Sequence, residues 1–271
     1  MPAWRALHNA RFYNDRLMAG GWPERELIPY EASRFSARRA LVLAPHADDE
    51  VFGCAAAIAD LRAKGAEVVV AILTDGAGDE TDPAARARIA AGRAAESRAA
   101  LEALGGGAVE AGVLRDRGLS ESRAELSREL VRLLSAHRPD LVFVPSPAEI
   151  HPDHRALAEA FLDGASGALG AHLKAATVAF YEVSQPIRPN FLLDATPHLA
   201  AKERAMASFP SQNGSRDYPR FVLGLNAYRA MTLGPSVAAA EGFRVIAGAD
   251  LAAQDAGARE ALRRAIGPSE G

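Results

Sequence analysis

Residues 40–46 of this 271-residue chain read ALVLAPH, a continuous apolar run that ends in a polar loop. Residues 67–76 (EVVVAILTDG), 140–146 (DLVFVPS) and 176–183 (ATVAFYEV) give further apolar runs of strand length. Helical patterns alternate with these runs, and strands that are apolar throughout are typical of a parallel sheet covered on both faces. The sequence therefore predicts an α/β fold: a Rossmann-like, doubly wound, mostly parallel sheet with helices on both faces.

The rest of the pattern divides the chain into three parts. Residues 1–38 are polar and irregular, and we expect an N-terminal arm made of a short helix and extended chain over the surface. Residues 39–250 are predicted to form a single domain, and the Ala/Gly/charge-rich residues 251–271 a C-terminal tail that frays. Helices are expected at 51–65, 83–104, 121–137, 152–169, 197–207 and 219–232, with further strands at 108–114, 191–196 and 242–248.

Composition excludes several classes of protein. The net charge of −3 and the lack of a Lys/Arg cluster argue against a nucleic-acid partner. The single cysteine, Cys54, excludes an internal disulfide and a cysteine-based zinc site. The sequence contains no run of about 18 apolar residues, so no membrane span is expected. The N-terminal residues lack the apolar core of a secretory signal, so we expect a soluble cytoplasmic protein.

Dense sets of His and Asp follow two of the predicted strands. Residues 45–50 read PHADDE and residues 145–154 read PSPAEIHPDH, and together they hold three of the seven histidines. Ligands of open α/β sheets bind at the carboxyl ends of the strands, so both loops are expected to face one site. Without thiolates, zinc is held by imidazole and carboxylate, and two His with one Asp would suffice.

The spacing within each loop supports this interpretation. Asp48 and Asp49 are adjacent on a tight loop and point in different directions, so one can hold a metal while the other faces the attacking water. Pro152 suits the first turn of a helix, which places His151 and His154 on one face. One of these imidazoles can ligate while the other reaches the substrate.

Simpler explanations compete for several residues. Glu50 and Asp153 lie where carboxylates commonly complement a helix N-terminus, and for Asp153 this is at least as good an explanation as a chemical role. Arg93 is on a charged helix, so the simplest expectation is that its side chain lies on a solvent-exposed face. Residues 74–78 (TDGAG) lack a full G-x-G-x-x-G, so a nucleotide-binding protein without hydrolysis is disfavoured. Surface or structural roles are the simplest expectation for His8, His137, His172, His198 and Cys54.

The two loops resemble the motifs of a known family. PHADDE is similar to the AHPDDE signature of the LmbE-like, or PIG-L, deacetylases, and HPDH matches that family's second motif. The resemblance runs from about Ala40 to about Gln212. Ala47 stands where the family usually has proline, so the ring that would fix φ is missing. Members have a Rossmann-like fold and one catalytic zinc, and they remove acetyl groups from N-acetylglucosaminyl conjugates.

The resemblance also implies roles for individual residues. His46, Asp49 and His154 correspond to the zinc ligands. Asp48 corresponds to the general base, and His151 to the residue that polarises the substrate carbonyl or protonates the leaving amine.

The expected function is removal of an N-acetyl or other N-acyl group from an amino sugar or glycoconjugate by attack of a zinc-bound water. Arg93 and Asp116 fall near the family's substrate-contact segments. The metal could also be iron or another divalent ion, because a site with two nitrogen ligands and one oxygen ligand does not select zinc by affinity alone. The substrate could be a small molecule or lipid-linked.

Two alternative functions also stay open: a zinc hydrolase of a different small amide or ester, and a noncatalytic binding protein on the same fold. The oligomeric state is not indicated.

Overall fold

The protein is described by a computed structural model over residues 29–213 and 217–267. Within these residues seven strands form one sheet in the order β3-β2-β1-β4-β5-β7-β6. The first five strands are parallel, and β7 runs antiparallel between β5 and β6. The predicted mostly parallel sheet is confirmed. The strands are β1 Arg39–Ala44, β2 Glu67–Thr74, β3 Ala108–Leu114, β4 Leu141–Pro145, β5 Thr177–Tyr181, β6 Phe191–Asp194 and β7 Ala240–Ala247.

Helices cover both faces of the sheet, as predicted. Along β1, Val42 and Ala44 pack into one apolar cluster, and Leu41 and Leu43 into the other. Helices α1, α2, α6 and α8 contribute to the first cluster, and α3, α4, α5, α9 and α10 to the second. The helices are α1 Asp49–Ala63, α2 Pro83–Ala103, α3 Arg123–His137, α4 Pro152–Ala165, α5 Gly170–Leu173, α6 Leu199–Ala207, α7 Pro210–Asn213, α8 Tyr218–Arg229, α9 Gly248–Ala253 and α10 Ala256–Ile266.

The position of β1 determines where the site can form. β1 lies between β2 and β4, so the chain builds the sheet outward in one direction through β3 and then crosses to the other side. This reversal is the topological switch point of an open α/β sheet, where the loops that follow the strands diverge and leave a crevice. The loops after β1 and β4 flank this crevice.

Helix α1 lies very close to the sheet because its residues are small. A Cβ atom on Gly53 would stand 2.3 Å from the ring of Tyr181, so only glycine permits this approach. The Tyr181 hydroxyl donates a hydrogen bond of 2.9 Å to the Leu43 carbonyl of β1. Tyr181 thus contacts both α1 and the carboxyl end of β1.

Both ends of the described chain pack more closely than the sequence suggested. Residues 1–28 of the expected arm lie outside the described residues, but Phe35 is buried and stacks on Phe191 at 4.2 Å between ring centroids. In the expected tail, α10 buries Leu262 and Ile266 because their spacing of four residues puts them on one helical face. The boundaries of the arm, domain and tail stay predictions. Among the helices that the structure describes, none has the length and apolarity needed to cross a membrane.

Candidate metal centre and active site

The loop after β1 places three acidic residues at the start of α1. Asp48 is the N-cap and has φ of 125°, a strained conformation for a residue with a side chain. Its backbone N–H donates to Glu50 Oε2 at 2.9 Å, and Glu50 also accepts from the Ser97 hydroxyl. Glu50 therefore supports the helix N-terminus, the simpler of the roles considered for it. Asp49 begins the helix, and its side chain turns toward the loop after β4.

The loop after β4 brings two histidines to the same place. His151 is the N-cap of α4, where its Nδ1 accepts from the Asp153 backbone at 3.2 Å, and His154 lies one turn into the helix. The ring of His46 is 4.6 Å from that of His151 and 5.4 Å from that of His154, measured between centroids. The prediction that the two loops share one edge of the sheet is confirmed.

Asp49 joins the two loops. Its Oδ2 is 3.3 Å from His46 Nδ1 and 3.1 Å from His154 Nε2. Two ligands that each lie about 2.0–2.1 Å from a tetrahedral ion stand about 3.3 Å apart. These separations and the nitrogen and oxygen donors fit a divalent metal ion.

The other nitrogens of the two histidines face carboxylates. His46 Nε2 is 3.1 Å from Asp116 Oδ1 and 3.2 Å from Asp153 Oδ2, and His154 Nδ1 is 3.6 Å from Glu149 Oε2. A carboxylate on the far nitrogen is the usual way in which a protein orients a metal-binding histidine.

Asp153 has a structural role beyond its place in the first turn of α4. Its carboxylate accepts from the backbone N–H groups of Arg117 at 2.7 Å and Leu119 at 3.1 Å and contacts His46. A position in the first helical turn did not reveal this, because the partners lie more than 30 residues away in the chain. Glu149 was not singled out at all. The available signal was a carboxylate in the loop that follows a buried strand.

Other donor sets overlap this one. His46, His151 and His154 each offer a nitrogen within 4.8 Å of the others, and His46, Asp116 and Asp153 form a second such group. Asp116 and Asp153 already accept backbone hydrogen bonds, Asp116 from Gly78 N at 2.9 Å. We therefore regard these two carboxylates as supports of His46.

The cluster has strongly perturbed acid–base properties. Burial opposes a charged imidazole, but the neighbouring carboxylates outweigh it, so the pKa of His46 is well above its usual range and that of His154 is raised to about 9. Burial likewise opposes a charged Asp49, yet the adjacent imidazoles hold its pKa well below the usual range. Burial and the neighbouring Asp49 raise the pKa of Asp48. Burial and the charges on His46 and His154 lower the pKa of His151.

These residues open onto a cleft of about 300 Å³. Arg93 and Asp116, the two residues predicted from the resemblance to lie near the substrate, both line this cleft. Arg93 donates to the Gly76 carbonyl at 2.8 Å, so its guanidinium is held in place rather than solvated. The sequence missed other lining residues, namely Phe52, Arg117, Val183, Ser184, Gln212 and Tyr218.

The remaining histidines and the cysteine lie elsewhere. His137 pairs with Glu110 at 2.6 Å, His198 lies 3.7 Å from Asp60, and Cys54 is buried. His172 contacts Ser135 at 3.4 Å, and His8 is outside the described residues. Structural or surface roles account for the described ones.

Comparison with known proteins identifies the family. Residues 41–165 match the family model described as PIG-L: GlcNAc-PI de-N-acetylase. A diacetylchitobiose deacetylase from Thermococcus kodakarensis is 30% identical over 192 residues, which cover 65% of this chain and 70% of that protein. The chain belongs to the PIG-L family. The matched residues, 41–165 of this chain, include both His/Asp loops and the carboxylates that support the histidines.

Solved structures confirm the PIG-L fold. The N,N'-diacetylchitobiose deacetylase from Pyrococcus horikoshii superposes with a TM-score of 0.67 at 24% identity, covering 91% of this chain and 92% of that one. GalB, the 4-carboxy-2-hydroxymuconate hydratase from Pseudomonas putida KT2440, has a TM-score of 0.60 at 24% identity, covering 77% of this chain and 96% of that one. At these identities the likeness shows the fold alone. Because one of the two is a hydratase, the fold does not determine the reaction.

Proposed function

We propose that this protein is a metal-dependent N-deacetylase that removes the acetyl group from an N-acetylated amino sugar or its glycoconjugate. The observation that carries the proposal is that Asp49 Oδ2 lies at metal-ligand separations from both His46 Nδ1 and His154 Nε2, with Asp48 beside them in an open cleft. Membership of the PIG-L family and the relative named diacetylchitobiose deacetylase support the substrate class.

His46 Nδ1, Asp49 Oδ2 and His154 Nε2 would hold the ion, which we propose to be zinc, with iron as the alternative. When bound, a divalent ion acts as a Lewis acid that polarises the acyl oxygen and lowers the pKa of water. Asp49 is the poorer candidate for the base, because its Oδ2 already faces both imidazoles and accepts from the His46 backbone at 2.9 Å.

Asp48 is the proposed general base. It has a strained backbone conformation and lines the cleft next to Asp49. It takes a proton from the water that attacks the acyl carbon. His151 lines the same cleft, and its Nδ1 is used by the helix cap, so Nε2 is the atom free to face the substrate. There it polarises the acyl oxygen or donates a proton to the departing amine nitrogen.

Arg93 and Asp116 are proposed to contact the substrate. Arg93 is held by its bond to the Gly76 carbonyl, so hydrogen bonding to a sugar would cost little additional side-chain entropy. Asp116 has one oxygen facing His46 and the other accepting from Gly78, which makes its support of His46 the stronger of its two roles. We further propose that the protein acts in the cytoplasm on a small or lipid-linked amino sugar.

The test is release of a primary amine from N-acetylglucosamine, diacetylchitobiose and a lipid-linked N-acetylglucosaminide, with added Zn²⁺ or Fe²⁺. Deacetylation of one of these is expected. Ester and non-sugar amide substrates form a parallel series, and turnover confined to that series would replace the proposal by the broader hydrolase function. Metal binding with no turnover on either series would favour a noncatalytic binding protein.

Two neighbouring variants test the assigned roles. Asp49→Ala should lose both the ion and activity, whereas Asp48→Asn should keep the ion and lose about 10²–10⁴-fold in turnover, the usual contribution of a positioned base. Asp163→Asn, on the exposed side of α4, is the matched control and should change neither. If Asp48→Asn released the ion and Asp49→Ala kept it, the two roles would be reversed.

A further inference from the structure

The carboxylate of Glu149 lies buried between the metal centre and one wall of the cleft. The residue is 1% exposed, and its Oε2 is 3.6 Å from His154 Nδ1. Its two oxygens also accept from three consecutive backbone N–H groups: Val183 at 2.6 Å, Ser184 at 3.0 Å and Gln185 at 3.4 Å. One side chain therefore touches both a metal-binding histidine and the segment that follows β5.

His154 needs a partner of this kind. Within the described part of the chain, its buried Nδ1 has no hydrogen-bond partner, while Nε2 faces Asp49 at 3.1 Å. A neutral histidine that ligates through Nε2 carries its proton on Nδ1, and the group that accepts that proton's hydrogen bond fixes the tautomer and the ring orientation. Glu149 Oε2 is the carboxylate oxygen in position to accept it.

We propose that Glu149 is a positioning residue that couples the metal ligand His154 to the cleft wall formed by Val183 and Ser184. The proposal rests on the proposed function and deepens it. The carboxylate holds the His154 ring for the metal, and the same two oxygens anchor the backbone of the wall that borders the substrate cleft. Loss of its charge should therefore weaken metal binding and substrate binding together.

Glu149→Gln is the test variant, because glutamine keeps the shape but replaces one acceptor oxygen by an NH₂ group. The Zn²⁺ dissociation constant, measured by competition with a chromophoric chelator, should rise about 10–100-fold, as is usual when such a partner is removed. In the zinc-saturated variant KM should also rise. Glu159→Gln is the matched control, since Glu159 lies on the same stretch of chain but pairs with Arg263 on the surface. It should leave both constants unchanged.

Three results would overturn the proposal. Unchanged zinc affinity in Glu149→Gln would remove the link to His154, even if KM rose. Unchanged KM would remove the link to the cleft wall. A wild-type chain that holds no divalent ion would remove the proposed function as well, which distinguishes that failure from the first two.

A measurement on the wild-type protein decides the case if Glu149→Gln does not fold. In zinc-loaded protein labelled with ¹⁵N-histidine, NMR should show His154 protonated at Nδ1 and ligated through Nε2. A His154 that ligates through Nδ1 would overturn the proposal, because Glu149 would then face a coordinated nitrogen.

Discussion

A buried ion pair that is bonded to the backbone of α1 allows a quantitative prediction of stability. Lys202 of α6 and Glu241 of β7 are 0% and 1% exposed, and their side chains meet at 2.7 Å. Lys202 also donates to the Phe52 carbonyl at 2.9 Å, and the Glu241 oxygens accept from the backbone of Ala56 at 2.8 Å and Ala57 at 2.9 Å. The pair is thus bonded to backbone groups within α1, the helix whose first turn carries the proposed ligand.

Glu241→Leu would leave the Lys202 ammonium buried with one acceptor. Breaking a buried pair by removing one partner costs about 3–5 kcal/mol. A native domain is stable by about 5–15 kcal/mol, so the variant should still fold but only marginally. The double variant Lys202→Met/Glu241→Leu removes both charges, and the amides of Ala56 and Ala57 can then rely on the carbonyls of their own helix. We expect the double variant to recover about 2–3 kcal/mol of the loss, the upper range of coupling between residues in contact.

The assay is urea unfolding of the metal-free protein in the presence of a chelator, so that metal binding does not contribute to stability. With a slope of about 2 kcal/mol/M, the single variant should unfold about 1.5–2.5 M earlier than wild type. The double variant should fall between the two. If Glu241→Leu cost less than about 1 kcal/mol, or if the double variant were no more stable than the single one, the assignment of a desolvated, mutually dependent pair would be refuted.

Further variants test other parts of the structure. His154→Ala should lose most of an ion that wild type binds at about one per chain, which metal analysis would show; unchanged content would remove the ligand assignment. Ile266→Ala should destabilise the protein by about 2–5 kcal/mol and the exposed Arg264→Ala by less than about 0.5 kcal/mol, whereas equal effects in thermal melts would contradict the packing of α10. Gly53→Ala should cost about 1–3 kcal/mol through its clash with Tyr181, and a neutral result would show that α1 can move away.

The sheet was predictable because its central strands appear in the sequence as continuous apolar runs of strand length. The strand expected at 108–114 is observed as Ala108–Leu114, and those near β1, β2, β4 and β5 were placed to within about two residues. The antiparallel direction of β7 was not predictable, because an apolar run does not encode which neighbour it pairs with or in which direction. Helix α1 begins at Asp49 rather than Val51, since the positive φ of Asp48 sets the turn and the sequence around it does not reveal that strain.

The site was predictable to the extent that its residues are concentrated in short motifs. His46 and His154 stood out because each lies in a dense cluster after a strand. The supporting roles of Asp153 and Glu149 were missed because their contacts join distant parts of the chain: Asp153 bonds to the segment at 117–119, and Glu149 to the segment at 183–185. Such contacts depend on strand order, which a single sequence does not display.

The electrostatics of the cluster support the proposal that it binds a cation. Asp49, Asp116 and Asp153 surround His46 in a buried space, and three carboxylates could not stay ionised there without compensating positive charge. Protonated imidazoles can supply that charge, since the neighbouring carboxylates outweigh the effect of burial and raise the pKa values of His46 and His154. A divalent ion between the imidazoles and Asp49 would take over the same role, and the histidines would have to release their protons to ligate it. We therefore expect protons and a divalent ion to compete for the proposed site, because ligation requires neutral imidazoles.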